Sequence, residues 1–491
     1  MTEAAKAATG KRIAGQGAML FSGFALAQGF SFARNAIVAH WLSKGDFGVA
    51  SAILLLLQLL ETLSDLGADR LIVQAKDGSD PRVVATAQLT LVLRGLVTAL
   101  LLVALAVPMA SFFDIRDAAW AFAAAATVPF IKGFLSLDSR VAQRTLNNRP
   151  QITIEVLPQA IALALTIPML KLFGDYTAVL WLAIVQAITA MAVSHIIARQ
   201  RYALACDMHH VRRLIAFGWP IWASAFPLIA VYQGDRMLIA HLVGIEALAA
   251  YTAAFMITMV PGLIAAKVAN ALMLPLLSIA QDDAERFAAR FRMMAEATTL
   301  VAALYLVTFV IAGGTILPIA FGHNYAGLSN LVGWLALMWS MRMLQAVPGA
   351  VLLAKGITRP FFTAGLIRAT GLLLAWAALL AGWGMEGAAA AGAIAEFASL
   401  AFITWLLNRI DAPQARTERY GLGSALAIRG LLMIPAGALA LAVNVTAGST
   451  VTLLSATLFL AAVSLAVIAL AALTMPDGKR QLLAMCTTQA H

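Results

Sequence analysis

Ile37-Val38-Ala39-His40-Trp41-Leu42 returns later in the chain as Leu238-Ile239-Ala240-His241-Leu242-Val243. At the same offset Arg34 meets Asp235, and the turn Asp46-Phe47-Gly48-Val49-Ala50 meets Ala247-Leu248-Ala249-Ala250-Tyr251. Each copy closes one long apolar run and opens the next. If the runs cross a bilayer, helices one and two correspond to helices seven and eight. Six spans separate the copies, an even number, so both halves have the same orientation and an axis along the membrane normal relates them. The chain then reads as six helices, six helices and two more.

Composition supports a membrane reading. The chain has 491 residues, of which 62% are hydrophobic and 12% charged, with a mean hydropathy of +0.86. Soluble domains run near 45–50% apolar and about 25% charged, and disorder needs low hydrophobicity. A helix needs about 20 apolar residues to cross the hydrocarbon, and about 14 such segments are present. They run 15–41, 47–69, 83–109, 117–137, 151–172, 177–198, 213–243, 247–277, 293–320, 327–354, 360–382, 387–408, 424–444 and 450–475. The expected parts are a tail (1–14), an N-lobe (15–200), a linker (201–212), a C-lobe (213–408), two further helices (424–475) and a tail (476–491).

The net charge is +10. In this setting basic residues report topology before they suggest nucleic acid, and no nucleic-acid partner is expected. With the N-terminus in the cytoplasm, the cytoplasmic segments carry twenty-three Lys and Arg. The opposite side carries three: Lys44, Arg116 and Lys171. That asymmetry supports the span count and an orientation with both termini cytoplasmic. Cys206 and Cys486 then face a reducing compartment and are too few for a disulfide framework. The first residues are polar and basic, and the apolar run after them is too long for a signal-peptide core.

No metal or cofactor is expected: the chain contains neither GxxxxGK[ST] nor HExxH. The expected external loops are short, which disfavours a membrane-embedded glycosyltransferase or polymerase with a catalytic loop. The chain is therefore read as a non-enzyme.

Arg34-Asn35-Ala36-Ile37-Val38-Ala39-His40-Trp41-Leu42-Ser43-Lys44-Gly45-Asp46-Phe47-Gly48 resembles the first signature of bacterial polysaccharide flippases. Asp65-Leu66-Gly67-Ala68 resembles their second-helix motif, and Gly234-Asp235-Arg236-Met237-Leu238-Ile239 with Ala249-Ala250-Tyr251 their seventh- and eighth-helix motif. Ala249 stands where glycine is usual. This is the Wzx-type branch of the multidrug/oligosaccharidyl-lipid/polysaccharide superfamily. The motifs are short, and the resemblance is carried by residues 15–280 and beyond them by topology. It implies an all-α, V-shaped pair of six-helix lobes working by alternating access. It also implies a location in the inner membrane, a cargo of polyprenyl diphosphate-linked oligosaccharide for surface polysaccharide, membrane lipids as neighbours, association with a polysaccharide polymerase, and a monomeric transporter. A cation-coupled multidrug exporter shares the fold. A peptidoglycan-precursor flippase fits less well, because Arg34 is the lone basic residue inside the first span.

Ionisable groups inside spans cost at least about 2.5–3.5 kcal/mol and face a cavity or a partner. Here these are Arg34, Arg94, Lys132, Arg236, Lys267, Arg342 and Arg368 against Glu61, Asp235 and Glu396. Lys132 and Arg368 are close enough to a membrane edge to snorkel. Arg34, Arg94, Lys267 and Arg342 are the candidate ligands for an anionic diphosphate, since guanidinium groups bind phosphate bidentately. Glu61 and Glu396 are the candidate coupling carboxylates. Arg34 and Asp235, with Arg236 beside them, form a candidate external gate. The alternatives are pairing of each within its own lobe and a local Asp235–Arg236 pair. Asp65, Asp69 and Arg70 close the second helix and are expected to be solvated or to meet basic loops. His40 and His241 read as interfacial, Pro220 and Pro227 as bending points, and Gly387–Gly392 as a small-residue packing face.

Overall fold

The computed structural model describes residues 3–145, 147–278, 283–354, 357, 359–410, 422–447 and 453–474. The regular elements among them are all helical, in two compact units, Met1–Ala250 and Tyr251–His491. The first unit holds α1 (Glu3–Trp41), α2 (Lys44–Leu63), α3 (Ala68–Gln74), α4 (Pro81–Phe112), α5 (Ala119–Ala124), α6 (Thr127–Gly133), α7 (Asp138–Gln143), α8 (Arg149–Phe173), α9 (Thr177–Ile196), α10 (Met208–Ile229) and α11 (Asp235–Leu242). Helix α12 (Ile245–Ser278) begins in it and continues into the second unit. There follow α13 (Ala284–Phe321), α14 (Ser329–Ala354), α15 (Arg359–Leu380), α16 (Gly384–Ile410), α17 (Leu422–Gly430), α18 (Met433–Ala447) and α19 (Leu453–Thr474). The 201–207 part of the expected linker is non-helical, and the 476–491 tail with Cys486 lies outside the described residues.

Among the described residues ten helices are long and apolar enough to span a bilayer. The protein is a multi-pass membrane protein. Four expected spans depart from a single helix: the second, where α2 ends at Leu63 and α3 starts at Ala68, the seventh, and the fourth and thirteenth, where proline is the reason. The fourth is split between α5 and α6, where Pro129 has no N–H for the Ala125 carbonyl and its ring would collide there. The ladder tightens instead, with Ala126 N–H donating to Ala123 and Val128 N–H to Ala125. Pro435 stands likewise near the start of α18, and the thirteenth span is split after Gly430. In the seventh span α10 runs straight through Pro220. The irregularity comes just after Pro227, as a π turn over Ala230–Gly234 that restarts the helix at Asp235.

The first unit's core runs from Val49–Leu60 of α2 through Leu102–Phe113 of α4 to Phe122 and Leu180. The seventh span is fastened to this unit at both ends. A Cβ on Gly218 would sit 2.3 Å from the Leu66 carbonyl oxygen, and just past the far end of the span one on Gly48 would sit 2.3 Å from the carbonyl oxygen of Ile245, the first residue of α12. Arg213 Nη1 lies 2.6 Å from Asp77 Oδ2, a hydrogen bond that holds the Asp77 carboxyl below the usual carboxylate range. His241 stacks on Phe112, with Nδ1 2.8 Å from the Phe112 carbonyl oxygen. In the second unit the small face of α16 packs as its composition suggests, with Gly392 against Met338 of α14 and Ala395 against Gly371 of α15.

Candidate functional site

The chain leaving α2 builds one wall of a polar cavity in the first unit. Asp65 Oδ1 accepts from the Gly67 N–H at 3.0 Å, and Gly67 takes a left-handed φ of 62°, which a glycine adopts without strain. This turn restarts the helix at α3 and lines up Glu61, Asp65 and Asp69. The opposite wall comes from α4, α6 and α7. A Cβ on Gly95 would lie 2.5 Å from the Pro129 carbonyl oxygen and 3.0 Å from Gly133 Cα, so α4 and α6 cross backbone to backbone. The residues immediately before these glycines are Arg94 and Lys132, and the close crossing brings both to Glu61.

Lys132 Nζ lies 2.8 and 3.2 Å from the two Glu61 carboxylate oxygens. Arg94 donates from Nη2 to the Glu61 carbonyl oxygen at 2.8 Å, from Nε to Ser64 Oγ at 3.1 Å and from Nη1 to Asp65 Oδ1 at 3.4 Å. Arg140 Nη2 stands 3.0 Å from Asp69 Oδ2, and Arg70 Nη2 3.2 Å from Asp65 Oδ2. The cavity, about 250 Å³ and open on one side, is completed by Thr98, Ser136, Ser139 and Gln151.

The other sequence-derived candidates are dispersed. Arg34 donates to Gln186 Oε1 on α9 at 2.6 Å. Asp235 accepts from the Arg236 N–H at 2.8 Å, and Arg236 Nη2 donates to the Tyr232 carbonyl oxygen at 2.7 Å. In this structure Arg34 therefore pairs with Gln186 of α9 and not with Asp235. The Lys267 side chain lies outside the described residues. In the second unit Arg342 Nε meets Glu396 Oε1 at 2.5 Å, and Gln345 Nε2 donates to the other oxygen at 3.0 Å. Arg342 also lies over the Trp339 ring. This pair is sealed, with side chains 6% and 2% exposed.

Asp69 meets Arg140 of the basic 138–150 segment, one of the two outcomes expected for it. Two pairings escaped the sequence. Lys132 does not snorkel but takes Glu61. Glu296 of α13 is buried against Arg429 of α17, with Oε1 accepting from Nη2 at 2.8 Å and from Nε at 3.0 Å. The signal was a lone charge of each sign a few residues inside two apolar runs.

A family described as "Polysaccharide biosynthesis protein" matches residues 37–330. The chain belongs to this family. No curated protein sequence matches it. Among solved structures, a lipid II flippase, MurJ, in an inward closed conformation shares the fold. Its TM-score is 0.72 at 13% identity, covering 92% of this chain and 98% of that one. An inward-facing multidrug resistance MATE family transporter of the MOP superfamily follows at 0.65 and 14% identity, covering 78% and 94%. A MATE structure in the bent conformation gives 0.53 at 15%, covering 84% and 96%. This polysaccharide biosynthesis protein therefore shares its fold with the MurJ flippase and with MATE family transporters.

Proposed function

We propose that this protein is a flippase that moves a polyprenyl diphosphate-linked oligosaccharide across the bacterial inner membrane by alternating access, for surface polysaccharide. The supporting observation is membership of a polysaccharide biosynthesis family on a transporter fold. The N-in, C-in orientation, the two repeat-defined lobes with 424–475 appended, the monomeric state and an association with a polymerase belong to the same proposal. The test is deletion of the gene, followed by analysis of surface polysaccharide and of lipid-linked intermediates. Loss of polymer with accumulation of the intermediate is expected. Unchanged polymer together with hypersensitivity to cationic drugs would instead favour the multidrug reading. That reading needs carboxylates able to take a cation, and Glu61 and Glu396 both face basic partners here.

Arg34 and Lys267 remain the proposed contacts for the diphosphate; Arg94 and Glu61, proposed from sequence as a diphosphate contact and a coupling carboxylate, are held by Ser64, Asp65 and Lys132 in the cavity described above. Arg342 and Glu396, proposed from sequence for the same two roles, satisfy each other instead. The gate is proposed for another conformation of the cycle, in which Arg34 leaves Gln186 for Asp235. An exposed pair of this kind is worth about 1 kcal/mol, a several-fold shift in population. Arg34→Asp and Asp235→Arg are each expected to impair export, and the double swap to restore part of it. A double swap no better than the worse single variant would remove the gate.

A further inference from the structure

The first unit's cavity differs from the ion pairs of the second. Arg342–Glu396 and Arg429–Glu296 are sealed in protein. In the cavity every charged head keeps an open side, with side-chain exposures from 26% for Glu61 and Arg94 to 38% for Lys132. The charges that line the cavity are the carboxylates of Glu61, Asp65 and Asp69 and the cations of Arg94, Lys132 and Arg140, which sum to zero; Arg70, exposed on the far side of Asp65, is not part of the lining. A plain anion brought to any of these cations meets a carboxylate at nearly the same distance, and attraction and repulsion largely cancel. A ligand carrying both signs, laid with phosphate toward the cations and ammonium toward the carboxylates, gains from both. The pocket, about 250 Å³ and open on one side, has room for a headgroup-sized unit.

We propose that this cavity binds a phosphate-bearing zwitterion, a phosphate with an ammonium group a few bonds away. Two sources share that chemistry: an ethanolamine phospholipid headgroup and an amino-sugar phosphate. The hydroxyl and amide groups of Ser64, Ser136 and Gln151 on the same lining suit the remaining polar atoms of either. The inference does not depend on what is exported, because binding is read on the purified protein and export on the deletion strain.

The experiment is titration calorimetry on the full-length protein in a nonionic detergent. The probes are glycerophosphoethanolamine, glucosamine 1-phosphate, N-acetylglucosamine 1-phosphate, glycerol 3-phosphate and inorganic pyrophosphate. At least one ammonium-bearing probe is expected to bind about tenfold tighter than its ammonium-free counterpart, and which one does so identifies the source. Asp69→Asn and Glu61→Gln are expected to erase that preference and to raise pyrophosphate affinity. Lys132→Gln is expected to weaken both zwitterions. The proposal is overturned if wild-type protein binds pyrophosphate or N-acetylglucosamine 1-phosphate as tightly as the zwitterions, or binds neither zwitterion. The wild-type series decides alone if a variant fails to fold.

Discussion

Glu396→Ala is expected to destabilise the protein by about 3–5 kcal/mol, because it strands the Arg342 guanidinium in a buried site. Arg342 keeps its contact with the Trp339 ring, but a cation–π contact is worth about 2 kcal/mol at best and does not replace a carboxylate. Arg342→Ala should cost a similar amount by leaving Glu396 with Gln345 as its side-chain donor. The double replacement Arg342→Met with Glu396→Leu should recover most of the loss, since apolar residues of similar volume carry no desolvation penalty. Thermal unfolding in detergent measures all four proteins. If either single variant melts within a degree or two of wild type, the pair is not the buried structural unit described here. The same reasoning applies to Glu296→Ala, which would leave Arg429 of α17 without its carboxylate and loosen that helix from α13.

Gly95→Val is expected to remove export, through geometry rather than charge. Its added atoms would enter the space of the Pro129 carbonyl and of Gly133, so α4 and α6 must separate. Overpacking of this kind costs about 1–3 kcal/mol, and the functional loss should exceed it because Arg94 and Lys132 no longer converge on Glu61. Gly365→Ala is the matching control, since a Cβ there meets open space within 4 Å. Membrane levels read by immunoblot separate lost insertion from lost transport. Normal export by an inserted Gly95→Val protein would detach the cavity from the transport cycle.

The membrane class and the approximate course of most helices could be read in the residues, because a bilayer imposes length and apolarity on each span independently of its neighbours. Thus 177–198 was expected and α9 covers Thr177–Ile196, and 360–382 was expected and α15 covers Arg359–Leu380. The residues also said that charges inside the spans must be satisfied. They could not say by what. An isolated run such as that around Lys132 holds no record of which carboxylate lies across the cavity; only the Gly95–Gly133 crossing brings Glu61 to it. Arg342 and Glu396 are separated in the chain and read as a phosphate ligand and a coupling group, and side-chain packing between α14 and α16 turned them into one buried pair. Periodicity and hydropathy are local properties and survive in one dimension. The partner of a charge is set by helix crossings, which are decided by contacts between backbones distant in sequence. That is why the fold was legible in the residues while the charge pairs that build the cavity were settled by tertiary structure.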